Sequence, residues 1–287
     1  MGKAYTQAAP GDPRWLAFLK PVLSGIYTAD NLDYVLRDAH MCGVAVGADL
    51  DRIIYYSFFT PEGLTLDRSG TQALIMFLTA RFYMYTNVYY HRTTRAIDLH
   101  LKEIFRPTMR IVFPWDLRKD LHPYLHLTEW SLLEEVARWH DAADPERRAL
   151  GREWRQVLDR QIRWRTVHEE VLDDAEIASW AGMRSESVAS EVRAALPPAL
   201  RSLEFQVDLA FQDPRPLNPL AMGDRQIYVY DGASGRVSAE ALAALFKYLP
   251  GKVAQCRIFA RDHRHDRELT EAFRGVLHAA RPPGPTA

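Results

Sequence analysis

The chain has 287 residues, of which 47% are hydrophobic and 25% charged, a composition typical of a soluble globular protein with one large domain or two small ones. Its 36 basic residues are balanced by 37 acidic ones, so the net charge of −1 excludes a chain-wide attraction to nucleic acid or an acidic surface. The two cysteines, Cys42 and Cys256, have no metal-ligand spacing and indicate a reducing compartment. We therefore expect a cytoplasmic protein without a membrane-spanning helix.

The first informative segment is TADNLDYVLRD, residues 28–38, which follows a short apolar helical pattern and predicts a helix with Thr28 as its N-cap. Asp30, Tyr34 and Asp38 recur at intervals of four residues, so they share one face of that helix. The apolar residues of the segment lie off this face and can pack into a core. The pattern predicts a polar stripe that lines a cavity.

A short helix from Asp49 and a hairpin that turns at residues 61–63 (PEG) are predicted next. From Ser69 to Phe105, apolar residues recur at helical spacing with almost no helix breaker, which predicts the longest helical region, of two helices end to end. Prolines then predict a long loop over residues 106–128.

Within the long helical region, Arg81, Tyr85, Val88 and Arg92 fall on one face. Guanidinium groups beside phenols suit a polyanionic, ring-bearing ligand, because the arginine fork matches phosphate oxygens and a phenol can stack and hydrogen-bond. Alternatively, the arginines are solvated and the tyrosines pack into the core. The residues alone favour this second interpretation.

Further helices are predicted over Thr128–Trp139 and Pro145–Val171, and another ends at Pro197. The second of these carries seven arginines interleaved with Trp154 and Trp164, a pattern that suits single-stranded nucleic acid or a solvated helix surface. Its interspersed acidic residues favour the solvated surface.

From Leu203 onward, three strand patterns (LEFQVDLAF, RQIYVYD and VAQCRIFAR) occur with two helical ones (SAEALAALFKYL and DRELTEAFRGVLHAA). We therefore predict a mainly α fold with a helical region over residues 1–200 and a small C-terminal α+β lobe over 201–280. Residues 281–287 are predicted to be a disordered tail.

The segment LKPVLSGIYTADNLDYVLRDAHMCGVAVGADLDRII, residues 19–54, resembles part of the HD-domain metal phosphohydrolases, such as dNTP triphosphohydrolases and dGTPase-like enzymes. In that family the segment supplies the last metal-binding aspartate, in a pattern of roughly D-A/V-D-x-x-D-Y-x-x-R-D. ARFYMYTNVYYHRTTRA (80–96) and RIFARDHRHDRELTEAF (257–273) resemble a downstream helix and the C-terminal strand and helix of the family. The resemblance covers most of the chain and implies an HD-type helical region followed by the α+β lobe.

The resemblance also implies roles for single residues. Asp30 matches the final metal ligand, Arg81 a triphosphate-binding arginine, and Asp38 a group that contacts the sugar. Asn31 departs from a lysine that some members have at this position. Together with the shared helix face, the resemblance yields a candidate substrate-binding set of Tyr34, Asp38, Arg81, Tyr85, Tyr89 and Arg92.

The family binds divalent metal (Mn, Fe, Zn, Ni or Mg) through a histidine and an adjacent His-Asp pair upstream of the aspartate, and in this sequence no histidine precedes Asp30. The pairs His140-Asp141 and His265-Asp266 lie downstream, and we expect neither to be the metal-binding pair. A lone carboxylate does not hold a transition metal tightly. We therefore expect the isolated chain not to hydrolyse a phosphoester by the metal-assisted route.

Two hypotheses follow. In the first, the chain is the substrate-binding and C-terminal part of an HD phosphohydrolase of the dNTP triphosphohydrolase type, truncated before its metal-site helices. In the second, it is a stand-alone, non-catalytic module that binds nucleotide or forms oligomers. Both predict a nucleotide or another phosphoester as ligand. Both also allow a homo-oligomer, for which the α+β lobe is a candidate contact surface. Neither predicts a membrane or nucleic acid as partner.

Overall fold

A computed structural model describes residues 13–116, 119, 121–172, 184–212, 226–239, 246–249 and 253–279. Within these ranges the fold is mainly α, with ten α-helices and two small sheets. The helices are α1 (Arg14–Leu23), α2 (Ala29–Cys42), α3 (Leu50–Tyr55), α4 (Thr71–Met84), α5 (Arg92–Val112), α6 (Leu121–His126), α7 (Glu129–Ala137), α8 (Pro145–Leu158), α9 (Ser185–Ala195) and α10 (Asp266–Ala279). The strands are β1 (Ser57–Thr60), β2 (Gly63–Asp67), β3 (Arg165–Leu172), β4 (Phe205–Gln212), β5 (Tyr228–Asp231), β6 (Arg236–Ser238) and β7 (Val253–Ala260). None of the helices in the described ranges is both long and apolar enough to cross a membrane.

The described residues group by contacts into two compact units. The first contains residues 13–89 and the described part of 211–254, and the second contains the described part of 90–172, 178–210 and 255–279. Both units draw on segments from either side of residue 200. The predicted domain boundary at that residue stays a prediction, because contact grouping does not establish which segments fold independently.

The first unit is built on a four-stranded sheet of order β1-β2-β5-β6. The predicted hairpin is confirmed, with Ser57 opposite Leu66 and Thr60 opposite Gly63. β2 pairs in parallel with β5, which lies far along the chain. Leu66, Phe77 and Val35 are fully buried in the core of this unit, so α2, α4 and the sheet share one apolar interior.

The second unit contains the three-stranded sheet of order β3-β7-β4, in which the central strand β7 is buried from Ala254 to Ala260. The three strand patterns predicted after Leu203 are confirmed as strands, but they do not form one sheet. β4 and β7 pair around this centre, whereas β5 belongs to the sheet of the first unit. Strand patterns are local, whereas sheet membership depends on distant pairing, so the sequence could not assign it.

The predicted loop over residues 106–128 is wrong, because α5 continues through Pro107 to Val112 and α6 follows it. An internal proline costs about 3 kcal/mol in a helix interior. Packing offsets this cost: Ile104 is buried with Trp139 and Trp154, and Val112 packs against them. The Trp154 Nε1 also donates to Thr108 Oγ1 over 2.7 Å, inside the last turns of α5.

The predicted helix over Pro145–Val171 is correct only as far as Leu158, where α8 ends. The chain then reverses at Arg160, a non-glycine residue with a φ of 57°. Arg165–Leu172 forms strand β3. The segment TVHEEV, residues 166–171, contains β-branched residues and is typical of a strand. The prediction of one long helix followed the run of arginines instead and did not weigh this signal.

Two of the predicted segments lie wholly or mostly outside the residues that the structure describes. Most of the helix predicted over SAEALAALFKYL lies outside them, and only a 3₁₀ turn over Phe246–Tyr248 is described there. The predicted disordered tail over residues 281–287 also lies outside them. The final helix is confirmed as α10.

The close approach of α8 to the 3₁₀ turn Trp139–Asp141 generates a stability prediction. A Cβ at Gly151 would lie 2.3 Å from the Trp139 carbonyl carbon and 2.4 Å from the His140 nitrogen. Both of these atoms belong to the backbone, which cannot move out of the way as easily as the end of a flexible side chain. Gly151→Ala should therefore lower the free energy of unfolding by about 2–3 kcal/mol. Urea denaturation measures this change.

Gly275→Ala is the matched control, because Gly275 lies inside α10 and a Cβ there would meet nothing within 4 Å. This variant should gain about 0.5–1 kcal/mol from helix propensity. Equal effects of the two substitutions would contradict the packing of α8 against the turn.

Candidate functional site

The first turn of α2 holds a closed hydrogen-bond network. Thr28 is extended and its hydroxyl accepts from the Asn31 backbone nitrogen, which makes it the N-cap that the sequence predicts. The same hydroxyl contacts the Asp30 carboxylate and the Asn31 amide. Asp30 Oδ1 accepts a second bond of 2.8 Å from the Asn31 backbone nitrogen. Asp30 is itself exposed, so its carboxylate is oriented at the surface of the unit.

The predicted polar stripe of α2 faces a π-helical turn, Tyr85–Tyr89, that follows α4. The Tyr34 hydroxyl donates to Asn31 Oδ1 over 2.7 Å and lies 3.1 Å from the Tyr85 hydroxyl. The Tyr89 hydroxyl donates to Asp38 Oδ2 over 2.7 Å. Turns of this kind occur often at functional sites, where they change the direction of side chains within a helix.

The three phenol rings pack edge to face. The ring centroids of Tyr34 and Tyr89 are 6.0 Å apart, and those of Tyr85 and Tyr89 are 5.0 Å apart, at interplanar angles of 73° and 72°. Such pairs contribute about 0.5–1.5 kcal/mol beyond the area they bury. The rings therefore hold their hydroxyls in fixed positions between α2 and α4.

Arg81 reaches this cluster from the last turn of α4. Its guanidinium carbon lies 5.7 Å from the centre of the Tyr85 ring, and its NH1 donates to the Ile26 carbonyl over 3.1 Å. Its Nε is buried and has no hydrogen-bond partner in the described part of the chain. A buried charged donor without an acceptor is costly, because it loses its hydration and gains no hydrogen bond in return.

Burial raises the pKa of the Tyr34 phenol, the hydrogen bond and charge of Tyr85 raise it further, and Arg81 partly opposes them. Burial also raises the pKa of Tyr89, followed by its bond to Asp38. Nearby, burial raises the pKa of Tyr27 to about 12. These phenols therefore stay protonated at neutral pH and act as donors.

The sequence-predicted residues are thus placed as follows. The structure brings Tyr34, Asp38, Arg81, Tyr85 and Tyr89 into one cluster of the first unit. Arg92 is the exposed first residue of α5, which belongs to the second unit.

Asn31 was missed as a site residue and treated only as a departure from the family pattern. It is 9% exposed and connects Thr28 to Tyr34 through its side chain. Its spacing of three residues from both partners was the available signal, because such residues are neighbours on a helix surface.

The two His-Asp pairs have local partners. His140 Nε2 lies 2.8 Å from Asp141 Oδ2 and its Nδ1 lies 2.9 Å from the Ala137 carbonyl. Asp266 lies 2.8 Å from the Nδ1 of His263. The first pair lies in the 3₁₀ turn Trp139–Asp141, and the second, which is partly buried, lies at the start of α10.

Asp30 was predicted to be a metal ligand, and its surroundings test whether a metal fits. The described residues contain no group of three or more His, Cys, Asp or Glu that could hold a metal ion. Divalent transition metals in tight sites take about four protein or water ligands. The donor set around Asp30 in this chain does not fit such a metal.

The tryptophans of the basic segment after Pro145 do not form a stacking surface. Trp154 and Trp164 are each 3% exposed. Trp164 donates to Glu103 over 3.0 Å and is covered by the Arg261 guanidinium at 4.7 Å. Their role in the described structure is core packing. Of the seven arginines, Arg163 is partly buried and pairs with Glu103 and Glu153, whereas the other six are exposed.

A family model described as "HD associated region" matches residues 48–210 of this chain. The Bacillus subtilis (strain 168) protein YwfO is 27% identical over 138 residues, which cover 43% of this chain and 32% of that protein. The Methanocaldococcus jannaschii protein MJ1154 is 37% identical over 86 residues, covering 28% of this chain and 19% of that protein. The chain therefore aligns with about a third and about a fifth of these relatives.

The fold is similar to the crystal structure of a hypothetical protein from Aquifex aeolicus. The TM-score is 0.61 at 23% sequence identity, and the match covers 91% of this chain and 60% of that chain. This similarity shows a shared fold.

The bond between Tyr89 and Asp38 generates a pH-dependent prediction. Tyr89→Phe should lower the free energy of unfolding by about 1 kcal/mol at neutral pH, because a hydrogen bond to a carboxylate is lost at a partly exposed site. The folded-state pKa of Tyr89 is raised, so its contribution is complete below the unfolded pKa of about 10 and is lost as pH rises through the folded value. The difference between wild type and variant should shrink above about pH 10.

Urea denaturation across neutral and alkaline pH measures this difference. Tyr55→Phe is the control, because Tyr55 is 81% exposed and lies outside the cluster. A difference that stays constant into the alkaline range would contradict the raised pKa of Tyr89.

Proposed function

We propose, from the premise that this chain belongs to the HD associated region family, that it is the nucleotide-binding part of an HD-type phosphohydrolase. The proposed substrate class is a nucleoside triphosphate of the dNTP type. The resemblance of residues 19–54 to HD phosphohydrolases gives separate support to this proposal. Most of that segment lies before residue 48, where the family match begins, so the two similarities rest on largely different residues.

One observation carries the proposal: the buried Nε of Arg81 has no protein partner in the described residues, and its guanidinium lies over Tyr85, whose hydroxyl meets that of Tyr34. A guanidinium donates to phosphate oxygens, and desolvation strengthens that bond. A phosphate group at Arg81 would therefore satisfy a donor that the fold leaves unpaired.

The neighbouring residues suit the rest of a nucleotide. Asp38 Oδ2 accepts from Tyr89, and a carboxylate retains further acceptor capacity for a ligand hydroxyl. The tyrosine rings offer apolar edges beside it. We assign Arg81 to the phosphates and the Asp38–Tyr89 pair to the sugar.

No hydrolytic step is assigned to the described residues, because the donors that they place around Asp30 do not fit a tight metal site. The proposed role of the residues in this cluster is to bind and orient the nucleotide. The same deficit of ligands favours the second candidate function, a non-catalytic nucleotide-binding or oligomer-forming module. The two functions differ in whether a longer protein that contains this chain turns over nucleotide.

Arg81→Gln should weaken binding of dATP to the purified chain by about tenfold or more, because a charge-assisted phosphate contact contributes about 1.5–3 kcal/mol. Isothermal titration calorimetry measures the dissociation constant, with inorganic tripolyphosphate as a probe for the phosphate part alone. Both ligands should lose affinity in this variant.

Arg52→Gln is the matched control. Arg52 also lies over a tyrosine ring, 5.3 Å from Tyr56, and also donates to a backbone carbonyl, that of Ser69. The Arg52→Gln substitution should leave the dissociation constants of dATP and tripolyphosphate unchanged. An equal loss in both variants, or no binding by the wild type, would count against the assigned phosphate site.

Because the described donors around Asp30 do not fit a tight metal site, we expect the purified chain with added Mn²⁺ to release no phosphate or triphosphate from dATP. In a longer protein that joins this chain to an upstream histidine and His-Asp pair, Asp30→Asn should reduce turnover to background, because metal ligation needs the carboxylate. Asp33→Asn is the control, since Asp33 lies on the same helix but pairs with Arg37 over 2.9 Å. Turnover by the isolated chain would refute the argument from missing ligands.

A further inference from the structure

Helix α6 carries two exposed histidines, His122 and His126, one helical turn apart. Their Nε2 atoms are 3.3 Å apart, and the ring centroids are 4.6 Å apart at an interplanar angle of 61°. The two imidazoles therefore converge through the same nitrogen. Neither ring has a carboxylate or backbone partner among the interactions described for it.

This separation is the one that a tetrahedral metal imposes. Zinc binds imidazole nitrogen at about 2.0–2.1 Å, and two ligands at a tetrahedral angle are then about 3.3–3.4 Å apart. An ion between the two rings would use both nitrogen lone pairs, whereas a direct hydrogen bond uses only one. Histidines at positions i and i+4 of a helix are also the spacing found in helical zinc sites.

We propose that His122 and His126 are half of a tetrahedral site for Zn²⁺ or a similar divalent transition metal, completed by the same pair from a second copy of this chain. In the described part of the chain no third metal-binding group accompanies the pair. A two-fold symmetric contact supplies the same two ligands again, because each copy presents an identical surface. Four imidazoles then complete the tetrahedron.

The surface around the pair suits a second copy. Leu121 and Leu125, which are 58% and 67% exposed, follow the same spacing on α6, and Trp130 at the start of α7 is 80% exposed. Leu121 and Leu125 thus place two exposed apolar side chains on the same short helix as the two histidines, and exposed apolar surface of this kind indicates an interaction site. Closing a metal site across the two-fold axis would cover them, so metal binding and apolar burial favour the same assembly.

The test is zinc-dependent association of the whole chain, followed by analytical ultracentrifugation together with zinc titration. Zinc should bind tightly at one ion per two chains and lower the dimer dissociation constant by about tenfold or more. The species should shift from 32.9 kDa toward twice that mass, and EDTA should reverse the shift. Co²⁺ in place of zinc should show the visible absorption of a tetrahedral site.

The double variant His122→Gln/His126→Gln should lose the zinc effect on association and keep the fold, because both side chains are exposed. His40→Gln, at an exposed position on α2, is the control and should behave as wild type. Asp30→Asn should also keep the zinc effect, which separates this site from the proposed nucleotide site. Association that zinc leaves unchanged, one ion per chain, or zinc-dependent association that survives the double variant would each overturn the proposal.

Discussion

The candidate site of the first unit depends on the N-cap of α2. The Thr28 hydroxyl starts the helix by accepting from the Asn31 backbone, and it also holds the Asn31 side chain, whose oxygen accepts from Tyr34. The hydrogen bonds that cap α2 therefore also fix the position of the Tyr34 hydroxyl. Because Asp30 belongs to the same turn, its carboxylate and the Tyr34 hydroxyl are positioned by one network and cannot move independently.

A second connection fixes α4 against this turn. Arg81 donates to the carbonyl of Ile26, in the segment just before α2, while the fully buried Phe77 and Val35 belong to the apolar core that both helices share. A rigid core explains how the fold can keep a buried Nε without a partner, since collapse around the atom would disrupt close packing.

The parts of the fold that follow from short-range rules could be predicted from the sequence. Thr28 and Gly43 mark the ends of α2, and the four-residue spacing puts Asp30, Tyr34 and Asp38 on one face. Pairings between distant segments could not be predicted. The parallel match of Leu66 with Val229, the helix that continues through Pro107, and the choice of Tyr89 as partner of Asp38 all depend on tertiary contacts.

The balance of donors and acceptors decides what the cluster can bind. Tyr34 and Tyr89 are kept protonated, and each already donates to a protein acceptor, whereas the Arg81 guanidinium has a buried donor left over. A cationic group placed at Arg81 itself would meet charge repulsion and would leave the buried donor unpaired. An anionic group there would supply the acceptor that the buried donor lacks. This arrangement favours an anionic group as the ligand of the proposed site, whereas the described residues do not supply the further ligands beyond Asp30 that metal-assisted chemistry requires.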